Sequence, residues 1–325
     1  MSDYKVKIYN SSDKEIWNNF SLKSNQDTFL FQRDFMDYHS DRFQDFSLII
    51  YKKNKLVALL PANRVEHSLY SHQGLSYGGF ICLNTIKTTE YIELFRVALE
   101  FLHQNEITNI TFKELPVIYL HNITNHPIAY VLFKTKAELI RTDLHSVVDL
   151  KYKKYSNSRK EGVKRANKFE LKVEESLTCD LFWNEILIPN LEHKHGVKPV
   201  HNLEEITLLK SRFPNNIRQF NVYVNDKIVA GTTIFETKNV AHCQYISGNA
   251  DKNELGSLDF LHHHLIENIF KDKLYYDFGT SNINQGQQIN QGLLFWKEGF
   301  GARSIPQGFY NIITENYKLL EDILI

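Results

Sequence analysis

Cysteine is scarce: Cys82, Cys179 and Cys243 are the only three in 325 residues, odd in number and widely spaced. They suit neither a disulfide framework nor a metal knuckle, and a reducing compartment is the simple reading. Long apolar runs are missing too. None approaches the roughly 18–20 residues that a membrane span requires. The polar start Met1-Ser2-Asp3-Tyr4-Lys5 leads into no apolar stretch of the signal-peptide kind. A cytoplasmic location is therefore expected. Nor is one charge in excess, since 38 lysines and arginines stand against 38 aspartates and glutamates. No global field steers the chain toward nucleic acid or an anionic membrane, so any such contact must come from a local patch. The Gly-rich dinucleotide fingerprint and the P-loop are absent, which argues against the folds and reactions built on them.

What is present reads as globular. Apolar residues make up 42% and charged residues 23%, an ordinary mix for a folded domain. Aromatics reach 13%, supplying large side chains for cores and ligand grooves alike. The length suits two domains of about 150 residues each, and the division is expected as 1–150 and 151–325.

The order of elements repeats. Residues 5–8 and 171–173 read as short strands by alternation. Two helical segments follow each: 13–22 and 33–38 in the first half, 179–195 and 203–212 in the second. Asn54-Lys55-Leu56-Val57-Ala58 and Asp226-Lys227-Ile228-Val229-Ala230 come next, each after a β-rich run ending in tyrosine (Tyr51, Tyr223). Polar turn residues between β-prone runs mark a hairpin. Further strands at 76–82 and 241–247 precede an amphipathic helix in each half. The second of these helices sets Leu258, Leu261, Leu265, Ile266 and Ile269 on one face. A strand (109–114; 274–279), a polar loop, a short helix and a closing strand complete each copy. The short helices are expected from Pro127, a favoured first-turn position, and over 290–297.

This β-α-α-β-β-β-α-β-α-β order resembles the GNAT acyltransferase superfamily, and its two copies resemble the FemAB-like branch. The second half carries the local likeness. Asp226-Lys227-Ile228-Val229-Ala230-Gly231, Tyr245-Ile246-Ser247-Gly248-Asn249-Ala250-Asp251 and Tyr276-Asp277-Phe278-Gly279-Thr280-Ser281 are similar to that branch's third-strand turn, fourth-strand exit and fifth-strand end. Phe295-Trp296-Lys297-Glu298-Gly299-Phe300-Gly301 resembles its closing aromatic-x-x-x-Gly-Phe motif. The resemblance implies a mixed α/β fold of two tandem GNAT-like domains, each a mainly antiparallel sheet flanked by helices. It also implies transfer of an acyl or aminoacyl group to a primary amine of an amino sugar, envelope precursor or peptide. The donor would be acyl-CoA or aminoacyl-tRNA, with no tightly bound cofactor. One departure bears on the donor. The usual glycine-rich pyrophosphate loop is replaced by Asp251-Lys252-Asn253-Glu254-Leu255-Gly256-Ser257, whose two acids oppose a phosphate at the following helix N-terminus.

GNAT-like architecture opens a cleft where strands four and five part, so candidate residues lie at their ends. Strict alternation sets His242, Gln244 and Ile246 on one face of strand four and Cys243, Tyr245 and Ser247 on the other. Tyr245 can donate to the carbonyl or leaving group, or simply pack on the sheet. Asp277 ends an apolar strand; burial would suit it to accept the amine proton, or it caps the loop amides of Gly279 and Thr280. Backbone N–H groups around Ser247 and Gly248 are candidate carbonyl-side donors. The amide-rich loop from Ser281 to Asn290 can hydrogen-bond sugars, peptides or nucleobases, or be a solvated loop. His195, at a helix end, is a candidate substrate contact.

Lys297 can meet a phosphate or carboxylate, or simply be exposed. Between the halves, eight lysines and arginines over 151–168 stand against Glu161 alone. Ser158 with Glu161 suggests a capped helix start. Arg159, Lys164 and Arg165 are thus expected at the phosphates of tRNA, coenzyme A or a sugar nucleotide, a solvated basic face being the plain alternative. His262-His263-His264 diverge by about 100° each on a helix and cannot share one ion, so no metal is expected. Cys243, mid-strand, reads as core. A silent glycan- or peptide-binding module for envelope assembly is the competing function, and RNA binding through the basic helix a weaker one. The oligomeric state is not legible.

Overall fold

A computed structural model describes residues 3–124 and 126–324, except the side chains of Lys194 and His195. Packing groups them into two compact units, Met1–Asp143 with Pro306–Ile325, and Leu144–Ile305. The division expected after residue 150 therefore falls earlier, and the C-terminal strand groups with the first unit. Strand pairing is the reason. The last strand pairs Phe309–Ile313 antiparallel with Asn109–Lys113 of the first half. The strand closing the first half pairs Val147, Val148 and Asp149 with Asp277, Tyr276 and Tyr275. Ladder hydrogen bonds, not nearness in sequence, decide which unit a strand joins.

In unit 1, β1 (Tyr4–Ile8), β2 (Leu48–Lys52), β3 (Lys55–Leu60) and β4 (Ile81–Cys82) form one antiparallel sheet in that order. The strand expected over 76–82 is thus confined to its last two residues. Helix α1 (Lys14–Ser21) follows β1, and α2 (Thr88–Gln104) follows β4. Leu94, Phe95, Ala98, Leu99 and Leu102 of α2 sit in the core of this unit, at the spacing that lines one helix face. Next comes β5 (Asn109–Lys113), which pairs in parallel with Ser68–Ser71. Pro127 then caps α3 (Ile128–Lys134).

Unit 2 repeats the order after β6 (Glu138–Asp149) and the basic helix α4 (Asn157–Ala166). That helix starts earlier than expected: Ser156, not Ser158, is its N-cap, accepting from the Arg159 N–H. The strands β7 (Lys172–Ser176), β8 (Ile217–Val224), β9 (Lys227–Glu236) and β10 (Val240–Gly248) pair antiparallel in series. Helices α5 (Ile188–His195) and α6 (Leu203–Arg212) lie between β7 and β8. The β2–β3 and β8–β9 hairpins match in detail. Both turn through two consecutive left-handed residues, Lys53-Asn54 and Asn225-Asp226, the backbone of a type I′ turn. Both shift register just before the turn tyrosine, between Ile50 and Tyr51 and between Val222 and Tyr223.

After β10 come α7 (Ser257–His264), β11 (Tyr275–Thr280), α8 (Gln291–Glu298) and β12 (Arg303–Ile313). Leu261, Leu265 and Ile266 are fully buried as expected, but Ile269 is 38% exposed and Phe270 takes the core position. A π-helical turn over Leu265–Ile269 widens the helix there and advances its buried face by one residue. Strands β10 and β11 run parallel and pair only through Val240–His242 and Tyr275–Asp277. Beyond that point they part. Among the described residues no helix is long and apolar enough to cross a membrane.

Candidate active site

One irregularity decides what faces the opening. Thr233 pairs with Tyr245 and Ile234 with Cys243, so Gln244 is an extra residue on β10. Such a bulge breaks the two-residue alternation. Ala241 and Cys243 lie in the core under α7, and Ile246 packs against that same core. His242, by contrast, is turned toward Asp277, Tyr245 toward His201 and Ser247 toward Asn190. Strict alternation had placed His242 opposite Tyr245 and Ser247; the bulge brings all three to one side.

Asp277 sits at the last position of β11 that pairs with β10, directly opposite His242. It is fully buried. Its Oδ2 is 2.9 Å from His242 Nδ1 and 3.0 Å from His145 Nδ1, and its Oδ1 accepts the Gly279 N–H at 2.7 Å. Burial alone would raise this carboxyl, but the two imidazoles outweigh it and hold the group well below the usual carboxylate range. Asp277 is thus an engaged anion. An ionised carboxylate can only accept, so the Nδ1 atoms of His145 and His242 carry the hydrogens. The Nε2 of His242 has no hydrogen-bond partner among the described residues.

Gly279 ties the cluster together. Its φ is +68°, and a Cβ there would stand 3.3 Å from His242 Cε1. Replacing Gly279 by Ala combines a left-handed strain of about 1–3 kcal/mol with pressure on that ring. We expect a lower Tm by thermal unfolding; an unchanged Tm would show that the β11 turn relaxes freely. The Gly279 carbonyl accepts from Lys297 Nζ at 3.0 Å, and the Thr280 carbonyl does so at 2.7 Å. Lys297 is only 2% exposed, so the exposed lysine of the plain reading is not what folds. Burial lowers its ammonium from 10.5 to about 8, against the pull of Asp277. Two of its three N–H groups are used.

The other expected residues have other surroundings. Tyr245 accepts the His201 backbone N–H at 3.0 Å and lies 2.6 Å from His201 Nδ1, which accounts for its hydroxyl. Ser247 Oγ accepts from Asn190 Nδ2 at 2.7 Å, and Gly248 continues the ladder opposite Ala230. Ser281 is buried, with an Oγ that has no hydrogen-bond partner among the described residues. Asn290 is the N-cap of α8, its Oδ1 accepting the Leu293 N–H at 3.0 Å. The side chain of His195 lies outside the described residues. Arg159 is tied to Asp259, which also accepts from Trp296 Nε1 at 2.9 Å. Lys164 and Arg165 are exposed. Tyr245, Asn290 and Arg159 are therefore already committed to partners.

The basic helix also covers the place where a pyrophosphate would sit on a glycine-rich loop. A Cβ on Gly256, just before α7, would lie 2.4 Å from the Gly162 carbonyl of α4, and one on Gly162 would lie 1.8 Å from Asp259 Oδ2. Helix α4 and an acid thus occupy the approach to the α7 N-terminus.

Metal ligation has one candidate group among the described residues: His145, His242 and Asp277 each offer a ligand atom within 4.8 Å of the others. Motif spacing misses it because the three come from different strands. Both Nδ1 atoms, however, sit at hydrogen-bonding distance from one carboxylate oxygen, the geometry of an anion holding two imidazoles. His262, from the histidine run, is buried beside the Tyr276 hydroxyl at 2.8 Å and pushed down to about 3 by burial. It is a core residue.

Residues 190–287 match the family model of the acetyltransferase (GNAT) domain. That stretch of unit 2 is similar to a GNAT acetyltransferase domain. Among solved structures, FemX is similar over 98% of this chain and 99% of its own, at 9% identity and a TM-score of 0.67. A tandem GNAT protein from the clavulanic acid biosynthesis pathway matches over 96% and 98%, at 12% identity and a TM-score of 0.53. L-PGS from Bacillus licheniformis matches over 81% and 85%, at 11% identity and a TM-score of 0.53. At such identities the likeness speaks for the fold alone. No curated protein matches its sequence significantly.

Two functional candidates escaped the reading of the sequence. His242 was visible but assigned to the wrong face, and His145 precedes the second copy altogether. The available signal was that His242 and Asp277 fall at matching positions, the third residue of each of two adjacent strands.

Proposed function

We propose that the protein is an acyltransferase that moves an acyl or aminoacyl group from a carrier to a primary amine, using His242 as base, Asp277 as its positioning residue and Lys297 as the cation at the carbonyl. The observation that carries this reading is that His242, where β10 and β11 part, turns Nδ1 to Asp277 and leaves Nε2 without a partner among the described residues. The amine nitrogen attacks the donor carbonyl and its proton passes to Nε2. The carbonyl electron pair becomes an oxyanion beside the remaining Lys297 N–H. Collapse breaks the bond to the carrier, which leaves with the proton held by the imidazolium. Asp277 works through His242, keeping the hydrogen on Nδ1 and opposing the charge that builds on the ring.

The covered N-terminus of α7 favours a carrier other than one cradled there by its pyrophosphate. The exposed Lys160, Lys164 and Arg165 of α4 suit the phosphates of an aminoacyl-tRNA. The acceptor would be an amino sugar, an envelope precursor or a peptide, and the setting the cytoplasmic stage of envelope assembly. Incubating the full chain with aminoacyl-tRNA or acetyl-CoA and such amines, with products followed by mass spectrometry, tests this. Product from aminoacyl-tRNA is expected. Product from acetyl-CoA alone would overturn the choice of donor, and no product from either would overturn the reading.

A further inference from the structure

Unit 1 carries a cleft that none of the chemistry above uses. It arises from the shortness of β4, whose two residues pair only with Ala58 and Leu59 of β3. Leu56 and Val57, nearer the hairpin turn, have no partner strand on that side among the described residues, because the chain leaves β4 through residues 83–87 to start α2. A cleft of about 150 Å³ remains between the end of the hairpin and the first turns of α2, lined by Tyr4, Leu56, Val57, Ile86 and Leu94. Leu94 is fully buried, and Tyr4, Val57 and Ile86 pack against the core of the unit. The second copy closes the matching place. Lys5 pairs with Tyr51 and Lys172 with Tyr223, the tyrosine before each turn, so Leu171 corresponds to Tyr4. Leu171 is buried, and Phe169 and Leu258 pack against the same core.

The mouth of the cleft carries surplus positive charge. Lys52, Lys55 and Glu90 stand there. Both oxygens of Glu90 are engaged: Oε1 accepts from Lys52 Nζ at 2.7 Å and Oε2 from the Lys87 N–H at 3.3 Å. Lys52 keeps N–H donors beyond that bond, and Lys55 is exposed with no ion pair among the described residues. An apolar floor under a cationic rim selects its ligand. A cavity of about 150 Å³ holds a body the size of benzene. A cation would meet Lys52 and Lys55, and a neutral body would leave their charge unanswered. A sugar would set hydroxyls against Leu56, Val57 and Leu94 without partners.

We propose that this cleft of unit 1 binds a small carboxylate on a compact apolar body, with Lys55 and Lys52 meeting the carboxylate and Val57, Ile86 and Leu94 meeting the body. The inference stands apart from the transfer chemistry assigned to His242.

Fluorine NMR of 4-fluorobenzoate, 4-fluorobenzyl alcohol and 4-fluorobenzylamine, each titrated with the full chain near neutral pH, tests it. The carboxylate is expected to bind with a Kd of about a millimolar or below, ordinary for so few atoms. It should bind at least about threefold more tightly than the alcohol or the amine, the scale of an ion pair open to solvent, and the difference should shrink as salt is raised. Lys55→Gln removes an exposed charge and leaves the floor intact; it should weaken the carboxylate about threefold and leave the alcohol unchanged. Val57→Phe fills the floor and should abolish binding of all three. Because no donor and no transfer enter the measurement, its failure and that of the His242 reading remain distinct. No binding of the carboxylate up to about 10 mM, equal affinity for the three probes, or unchanged carboxylate affinity in a folded Lys55→Gln or Val57→Phe protein would overturn the proposal.

Discussion

Substitution of His242 by Gln is expected to lower the transfer rate by about 10²–10⁴-fold, the usual worth of a positioned acid–base group. Glutamine can still donate an amide N–H to Asp277, so the β10–β11 junction should keep its shape. It has no atom that takes a proton at neutral pH. The loss should appear in kcat, with the KM for the donor nearly unchanged, because Nε2 acts on the nitrogen only as the bond forms. Asp277→Asn should fall nearly as far for a different reason. Its amide no longer requires the hydrogen on His242 Nδ1, and the tautomer with Nε2 protonated becomes available. Initial rates on both variants, with circular dichroism to confirm folding, check this. A His242→Gln enzyme that keeps more than about a tenth of its rate would remove the base from the mechanism.

Replacement of Lys297 by Met should cost about 10²–10³-fold in kcat, the range seen when one oxyanion donor is removed. Its pH behaviour is the sharper signature. The folded ammonium loses its proton near pH 8, below the ordinary 10.5. Activity that needs the charge should therefore decline as pH rises through about 8, and Lys297→Met should show no such limb. Stability moves the other way. Between those two values the unfolded chain binds a proton that the folded chain has released, so stability rises with pH across that window. Activity falling while stability climbs would separate loss of the cation from alkaline unfolding. A wild-type profile flat to about pH 10 would mean that Lys297 only braces the Gly279 and Thr280 carbonyls.

Legibility divided along physical lines. The second copy of the hairpin was visible because turn chemistry is local: two residues in left-handed conformation need Asn, Asp or their like, and Asn54 and Asp226 supply them. Asp277 stood out as a lone acid at the end of an apolar strand. Helix boundaries erred by a residue or two where caps compete, as at Ser156 and Ser158.

The aromatic-rich cores and the tandem order of strands and helices were determined by the sequence itself, through periodicity and local propensity, and so was the choice of Asp277 and Lys297 as candidates. Tertiary structure alone decided which groups meet. A single extra residue at Gln244 reverses the facing of everything beyond it, and no local propensity marks a bulge. His145 reaches Asp277 across a separation of 132 residues, since a ladder joins strands without regard to their distance along the chain. Burial of Lys297, which sets its charge, likewise arises only when α8 closes over the end of β11 and water is excluded.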